Sequence, residues 1–176
     1  MLFLRFRRKA RLAAELKARV TQEAERGRRL AIYDQQSGLL ARWYFELRLL
    51  EETHRCQRYE MPMAVLTLRT STEAMAGQNG GRGLDKSGAI ARSLRSTDLA
   101  ADLGIGEYAL CLLHCDRAGA ASVLRRLMGE LADNDCQVGM AIYPDDDREG
   151  KALVELALSR SAPWKARQAS EIPRAA

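Results

Sequence analysis

The chain has 176 residues, 47% hydrophobic and 29% charged, which is enough for one packed domain plus an extension and excludes a disordered chain. The net charge of +5 is unevenly placed: residues 1–30 hold ten Lys/Arg and three Glu, so residues 31–176 carry about −2. That distribution argues against a nucleic-acid-binding domain, whose positive patch would lie on the fold itself.

The N-terminal run MLFLRF is too short to span a bilayer, and no small-residue cleavage site follows it, so it is not a signal peptide. RFRRKAR, overlapping its end, has the composition of a juxtamembrane basic segment. Three readings stay open: an arm lying on an anionic membrane surface, a segment following a membrane span, and a solvated helix start. From about residue 4 to 33 the pattern is that of one long helix, with Gly27 as its only glycine and no proline. Leu12, Leu16 and Val20 fall on one stripe beside Ala13 and Ala24. So narrow a stripe suits a dimerising coiled-coil seam better than a helix packed on a core; a poorly ordered tail is the alternative.

Ser37 and Gly38 then make a turn, and Leu39 to about Tyr59 reads as a second helix. Leu39, Trp43, Leu47, Leu50 and His54 are spaced along one of its faces, and Pro62 ends it. MAVLTLR (63–69) is a strand, STEAMAGQNGGRG a loop of small residues, and LDKSGAIARSLR a short helix. DLAADLGIGEYALCLLHC holds two extended segments around Gly104, Ile105 and Gly106, which is a β-hairpin. Ala120 to about Leu131 is helical, CQVGMAIYP (136–144) is a strand, and Lys151 to about Ser161 is the last helix. This order predicts an α+β fold: a mixed, mostly antiparallel sheet flanked by helices, of the ferredoxin-like or polymerase-palm type.

Several local patterns lead nowhere. GGRGLDKS follows a strand and opens a helix, as a phosphate loop does, but Asp85 stands where glycine is needed and would repel phosphate oxygens. Cys56, Cys111, Cys115 and Cys136 are scattered and read as reduced thiols, three of them in apolar runs. His54 with Cys56, and His114 with Cys115, lack the CxxC pairing of a metal site. Asp145, Asp146 and Asp147 lack the alternate spacing of a calcium loop and read as a solvated turn.

Three segments in order resemble the GGDEF family, the diguanylate cyclases that join two GTP molecules into cyclic di-GMP. YDQQSGLLARWYF (33–45) resembles the entry motif D-x-L-T-G-L-x-N-R-x-x-F through Asp34, Gly38, Leu39, Arg42 and Phe45, with Ser37 a near match. RSTDLAADLGIGEYALCLL is similar to R-x-x-D, five residues, then the G-G-D/E-E-F signature and an apolar strand. CQVGMAIYPDDD is similar to the closing strand and its Y-P-x-D-G turn. The resemblance covers roughly residues 30–160 and implies an N-terminal basic signalling helix over 1–32, a degenerate GGDEF domain over 33–165 and a C-terminal tail over 166–176.

The resemblance also implies what has been lost. The family's cyclases hold divalent cations with carboxylates. Arg69 stands at the first such position and Ser71 at the next expected acid, while Gly106 replaces the acid of the signature and Glu107 survives beside it. The guanine-reading loop is shortened, with Gly77 and Gln78 where its motif would begin. The expectation is therefore no enzyme, no metal and no cofactor. Arg95 and Asp98, by contrast, match the R-x-x-D inhibitory site, which in the family binds cyclic di-GMP away from the catalytic centre. Arg forks onto phosphate or onto the guanine O6/N7 edge, and Asp98 is expected to accept from guanine or to orient Arg95. Arg125 and Arg126 fall where the family often adds another arginine. A bare surface ion pair between Arg95 and Asp98 is the bland alternative.

The expected function is thus an inactive GGDEF domain that binds cyclic di-GMP as a receptor. It would form a homodimer through the N-terminal helix, sit in the cytoplasm or at the inner face of the membrane, act with a membrane protein or membrane surface, and bind no nucleic acid. Secretion of exopolysaccharide is the family-level analogy. A dimerisation or protein-interaction module that binds no nucleotide is the rival, and GTP binding without turnover is a third reading.

Overall fold

The apolar run MAVLTLR lies at the centre of a six-stranded sheet in the computed structural model, which describes residues 27, 31–70, 81–131 and 136–164. In chain order the elements are β1 (Leu40–Ala41), α1 (Arg42–Tyr59), β2 (Met63–Arg69), α2 (Gly81–Ser93), β3 (Leu99–Gly104), β4 (Glu107–Leu113), α3 (Arg117–Leu131), β5 (Gln137–Tyr143), α4 (Gly150–Ser159) and β6 (Ala162–Pro163). The sheet order is β1-β3-β4-β2-β5-β6. Only β1 and β3 run parallel; every other pair is antiparallel. The fold is α+β, with a mixed, mostly antiparallel sheet. The chain divides into two units, Met1–Ile32 and Tyr33–Ala176, and these elements belong to the second. The expected N-terminal helix, the loop around Ser71, Gly77 and Gln78, and the tail over 166–176 lie outside the described residues, apart from Gly27 and residues 31–33 of the helix.

Strand β2 is buried from Met63 to Leu68 because helices cover both faces of the sheet. Its residues divide by the two-residue period of a strand. Met63 and Val65 join Phe45, Leu49, Cys56, Leu153 and Ala157 under α1 and α4. Ala64, Leu66 and Leu68 join Ile90, Leu124, Leu127 and Met140 under α2 and α3. Gly139 lets α4 lie close to β5: a Cβ there would stand 1.8 Å from the Ala157 carbonyl oxygen.

Helix α1 corrects the sequence reading in one respect. Its buried residues are Phe45, Leu49, Glu52, Thr53 and Cys56. Trp43, Leu47 and Leu50 are 42%, 44% and 50% exposed, and His54 is exposed with them. The face that the apolar spacing selects is therefore the outward one; of that set only Leu39, which precedes the helix, is buried. The helix is apolar on two sides, and the sheet took the side carrying Phe45 and Leu49. This arrangement also puts His54 and Cys56 in different environments, one exposed and one buried.

Two helix starts lie upstream of their expected positions for visible reasons. Asp116 accepts the Gly119 N–H at 2.8 Å and opens α3 at Arg117. Asp147 accepts the N–H groups of Arg148 and Glu149 just before α4. The acidic turn is not simply solvated. The Asp146 side chain is 6% exposed and bonds Arg117 at 2.8 Å, Arg160 at 3.1 Å and the Ile142 N–H at 2.7 Å. It ties the start of α3, the end of β5 and the end of α4 together. Cys56, Cys111 and Cys136 are buried and all four cysteines are free thiols; burial pushes Cys111 well above its usual range.

Candidate functional site

The site begins with the entry segment, residues 33–41. Asp34 Oδ1 accepts the N–H groups of Gln36 and Ser37 and the Ser37 hydroxyl, at 2.8 to 3.0 Å. The Asp34 N–H donates to the Leu39 carbonyl, and Gly38 takes a φ of +70° that favours glycine. Burial works to raise the Asp34 pKa, but the bonds from Ser37 and Gln36 outweigh it and hold the carboxyl below its usual range. This folded loop delivers Leu39 and Leu40 to the edge of the sheet, where Leu40 pairs with Ala101.

A cleft of about 320 Å³ opens between this segment, the first turns of α1 and the loop that follows α2. Tyr44 and Arg48 line it from α1, and Arg95, Ser96 and Asp98 from the loop. Tyr33 lines it from the entry segment and is 60% exposed.

Within the loop, Asp98 is the anchor. Its Oδ2 accepts the Arg95 backbone N–H at 3.0 Å and its Oδ1 accepts the Leu113 N–H at 3.2 Å. The Asp98 N–H donates back to the Arg95 carbonyl at 3.1 Å. The carboxylate therefore closes the RSTD turn and pins it to the end of β4. The ion pair between the two side chains, the bland alternative, is absent among the described residues: Asp98 engages the Arg95 backbone, and Arg95 is exposed. A guanidinium held on a fixed turn at the mouth of a cleft is placed to fork onto a phosphate or a base edge.

The structure brings Arg95 and Asp98 together on one turn, while Arg125 and Arg126 come from α3, Arg126 reaching a carbonyl two residues before Arg95. Both of the latter are exposed on α3, and neither is among the residues lining the cleft. Arg126 Nη2 donates to the Ser93 carbonyl at 2.5 Å, at the end of α2, where helix carbonyls lack intrahelical partners. Arg48 and Tyr44 were not found from the sequence. Their signal is the i, i+4 spacing on one flank of α1, but which flank meets the 95–98 loop is a tertiary property.

The other end of the sheet is different in kind. Along β3, at about 3.3 Å per residue, it lies roughly 20 Å from Asp98. Here β2 ends at Arg69 and β4 begins at Glu107, paired across the strands, with Arg69 Nε 2.8 Å from Glu107 Oε1. Gly104, Ile105 and Gly106 all take positive φ in the hairpin turn. The Thr70 N–H and hydroxyl both bond the Gly106 carbonyl, at 3.0 and 3.2 Å. No group of three or more potential metal ligands occurs among the described residues.

No protein-family model matches the sequence, and no curated protein matches it. Solved structures do match. A sensory box/GGDEF family protein from Caulobacter crescentus superposes with a TM-score of 0.67 at 23% identity, over 73% of this chain and 94% of its own. The GGDEF domain of TpbB (YfiN) from Pseudomonas aeruginosa gives 0.65 at 22% identity, over 71% and 83%. The coiled coil and GGDEF domain of DgcB from Caulobacter crescentus, solved in complex with c-di-GMP, gives 0.65 at 17% identity, over 92% and 93%. The sheet order, the helices on both its faces and the hairpin at residues 99–113 are thus those of a GGDEF fold.

Proposed function

We propose that this chain is a catalytically inactive GGDEF domain that serves as a cyclic di-GMP receptor through its RSTD cleft. The observation that carries this reading is Arg95, exposed on a turn clamped by Asp98 and facing a concave surface with aromatic and cationic lining. The complex of DgcB with c-di-GMP supports the choice of ligand. Inactivity is supported at the hairpin end, where Arg69, paired with Glu107, and Gly106 occupy positions at which the resemblance implies metal-binding acids. The reading extends to a homodimer through residues 1–32 and a membrane-linked partner, with exopolysaccharide secretion as the analogy. The ten Lys/Arg of residues 1–30 suit an anionic surface. No helix among the described residues is long and apolar enough to cross a membrane.

Titration calorimetry with cyclic di-GMP tests the proposal. Micromolar or tighter binding to the wild type, abolished in Arg95→Ala, is expected. Incubation with GTP and magnesium is expected to yield no cyclic di-GMP. No binding by a folded wild type would overturn the receptor reading. It would favour the second reading, an interaction module, which the exposed Leu47 and Leu50 on α1 support.

A further inference from the structure

Helix α1 carries a pairing seam that its own fold leaves outside. Trp43, Leu47, Leu50 and His54 follow one another at steps of four, three and four residues, the alternation of a helix–helix seam. The sheet holds the opposite stripe, Phe45, Leu49, Glu52 and Cys56, so the seam faces outward. Beside it runs a groove of about 280 Å³ between the amino-terminal half of α1 and α4. Phe45, Leu49, Leu103, Val154 and Leu158 give the groove an apolar lining, and Leu50 belongs to both groove and seam. Glu46, Glu149 and Glu155 stand on its rim against Arg42 and Lys151. Arg42 is bonded to Glu46 at 3.1 Å, which leaves Glu149 and Glu155 facing Lys151. The carboxy-terminal half of α1 carries the opposite sign outward: Arg58 is exposed, as is Arg55, which shares the buried Glu52 with Arg48.

We infer that this face is an interface between two copies of the chain, with α1 of each copy lying antiparallel along the other's α1 and in its α1–α4 groove, and Leu47 and Leu50 at the twofold axis. Charge selects both the occupant and its direction. An antiparallel crossing sets Arg55 and Arg58 of one copy over the Glu149 and Glu155 rim of the other, and twofold symmetry makes that contact twice. A parallel crossing would set Arg42 on Arg42 and Glu46 on Glu46, and would align the two helix dipoles. The antiparallel crossing also covers both apolar surfaces at once. Leu47 and Leu50 of each copy enter the groove that Val154 and Leu158 line in the other, and four helices close a second apolar layer outside the sheet. The surface is made of α1, α4 and Leu103 alone, and the inference does not rest on the receptor reading.

The experiment uses the full chain without nucleotide. Sedimentation equilibrium is run on the wild type and on Leu47→Glu/Leu50→Glu, with circular dichroism to show that each protein is folded. Both leucines are exposed in the single chain, so the glutamates leave its core intact. In parallel, Leu50→Cys is oxidised in a Cys115→Ser background, which removes the one native thiol that is not buried. Glu130→Cys, exposed on α3, is the control. The wild type is expected to be a dimer, and the double glutamate variant to dissociate at least about 100-fold more readily, because four carboxylates then meet at the axis. Leu50→Cys is expected to form a disulfide-linked dimer and Glu130→Cys to stay monomeric on a denaturing gel. The cross-link decides alone if the glutamate variant does not fold. A wild type that sediments as a monomer would overturn the inference. So would a dimer that the glutamates leave unchanged and Leu50→Cys does not trap; its pairing would belong to another surface, residues 1–32 included. Cross-linking of Glu130→Cys as fast as Leu50→Cys would overturn it as well, since random collision would then account for both. Because no step involves cyclic di-GMP, the result leaves the receptor reading to its own titration.

Discussion

Gly106 shows how much one residue can decide. It sits at φ +72°, and a Cβ there would stand 2.9 Å from Thr70 Oγ1 and 3.3 Å from the Thr70 carbonyl oxygen. This is the position where the resemblance implies the signature acid, and the contacts with Thr70 leave little room there for a side chain. Replacing it, as Gly106→Asp, adds a side chain to a left-handed residue and pushes on Thr70, just past the end of β2. The expected result is a loss of about 1–3 kcal/mol in denaturant unfolding, and no gain of GTP turnover. Turnover appearing in that variant would show that the hairpin end retains a working site. Beside it, Arg69 bonds Glu107 across the paired strands at 2.8 Å.

Helix α1 serves three surroundings from one short sequence. Its inner stripe packs on β2, its Tyr44 and Arg48 flank lines the cleft, and Leu47 and Leu50 face outward. Leucines two residues apart therefore have unlike consequences. Leu49 is 1% exposed, and Leu49→Ala should cost about 2–5 kcal/mol as the core loses methyl contacts. Leu47 is 44% exposed, and Leu47→Ala should change monomer stability by less than about 0.5 kcal/mol. Equal losses in urea titrations of the two variants would mean that Leu47 is covered in solution.

At the scale of the whole molecule, Asp146 is the tie between segments far apart in sequence. Burial works to raise its pKa, but the Ile142 N–H, Arg160 and Arg117 outweigh burial and hold the folded value below the ordinary 3.8. A depressed carboxyl pKa contributes stability that is fully present above 3.8 and is lost as pH falls from there through the folded value. Asp146→Asn should lower stability by about 3–5 kcal/mol at neutral pH, because Arg117 and Arg160 lose their shared partner. The gap between wild type and variant should hold down to about pH 4 and narrow below it, since wild-type Asp146 is then protonated too. A gap that stays constant to pH 2 would show that the charge of Asp146 is not what matters.

The sequence by itself determined the elements and their kind. Strand β2 coincides with MAVLTLR, and the hairpin is written in the glycines around Ile105, because glycine's freedom at positive φ marks a tight turn whatever surrounds it. Asp34, Ser37 and Gly38 are equally local: their bonds close within a few residues, so the motif carries its own structure. The two-residue strands β1 and β6 were not legible, since so short a segment is a strand only through its neighbour. Nor was the inner face of α1, because two apolar stripes lie on that helix and only docking to the sheet chooses between them. The candidate site divides in the same way. Arg95 and Asp98 share one turn and were singled out by the resemblance. Arg48 lies 47 residues before Arg95 and reaches the same cleft only because β1 pairs with β3 and carries the start of α1 beside the 95–98 loop. Asp146 looked like part of a solvated acidic turn for the same reason: both of its arginines come from other elements. Local turns are decided by short-range backbone geometry; which cations meet which cleft or carboxylate is decided by chain crossings that no spacing records.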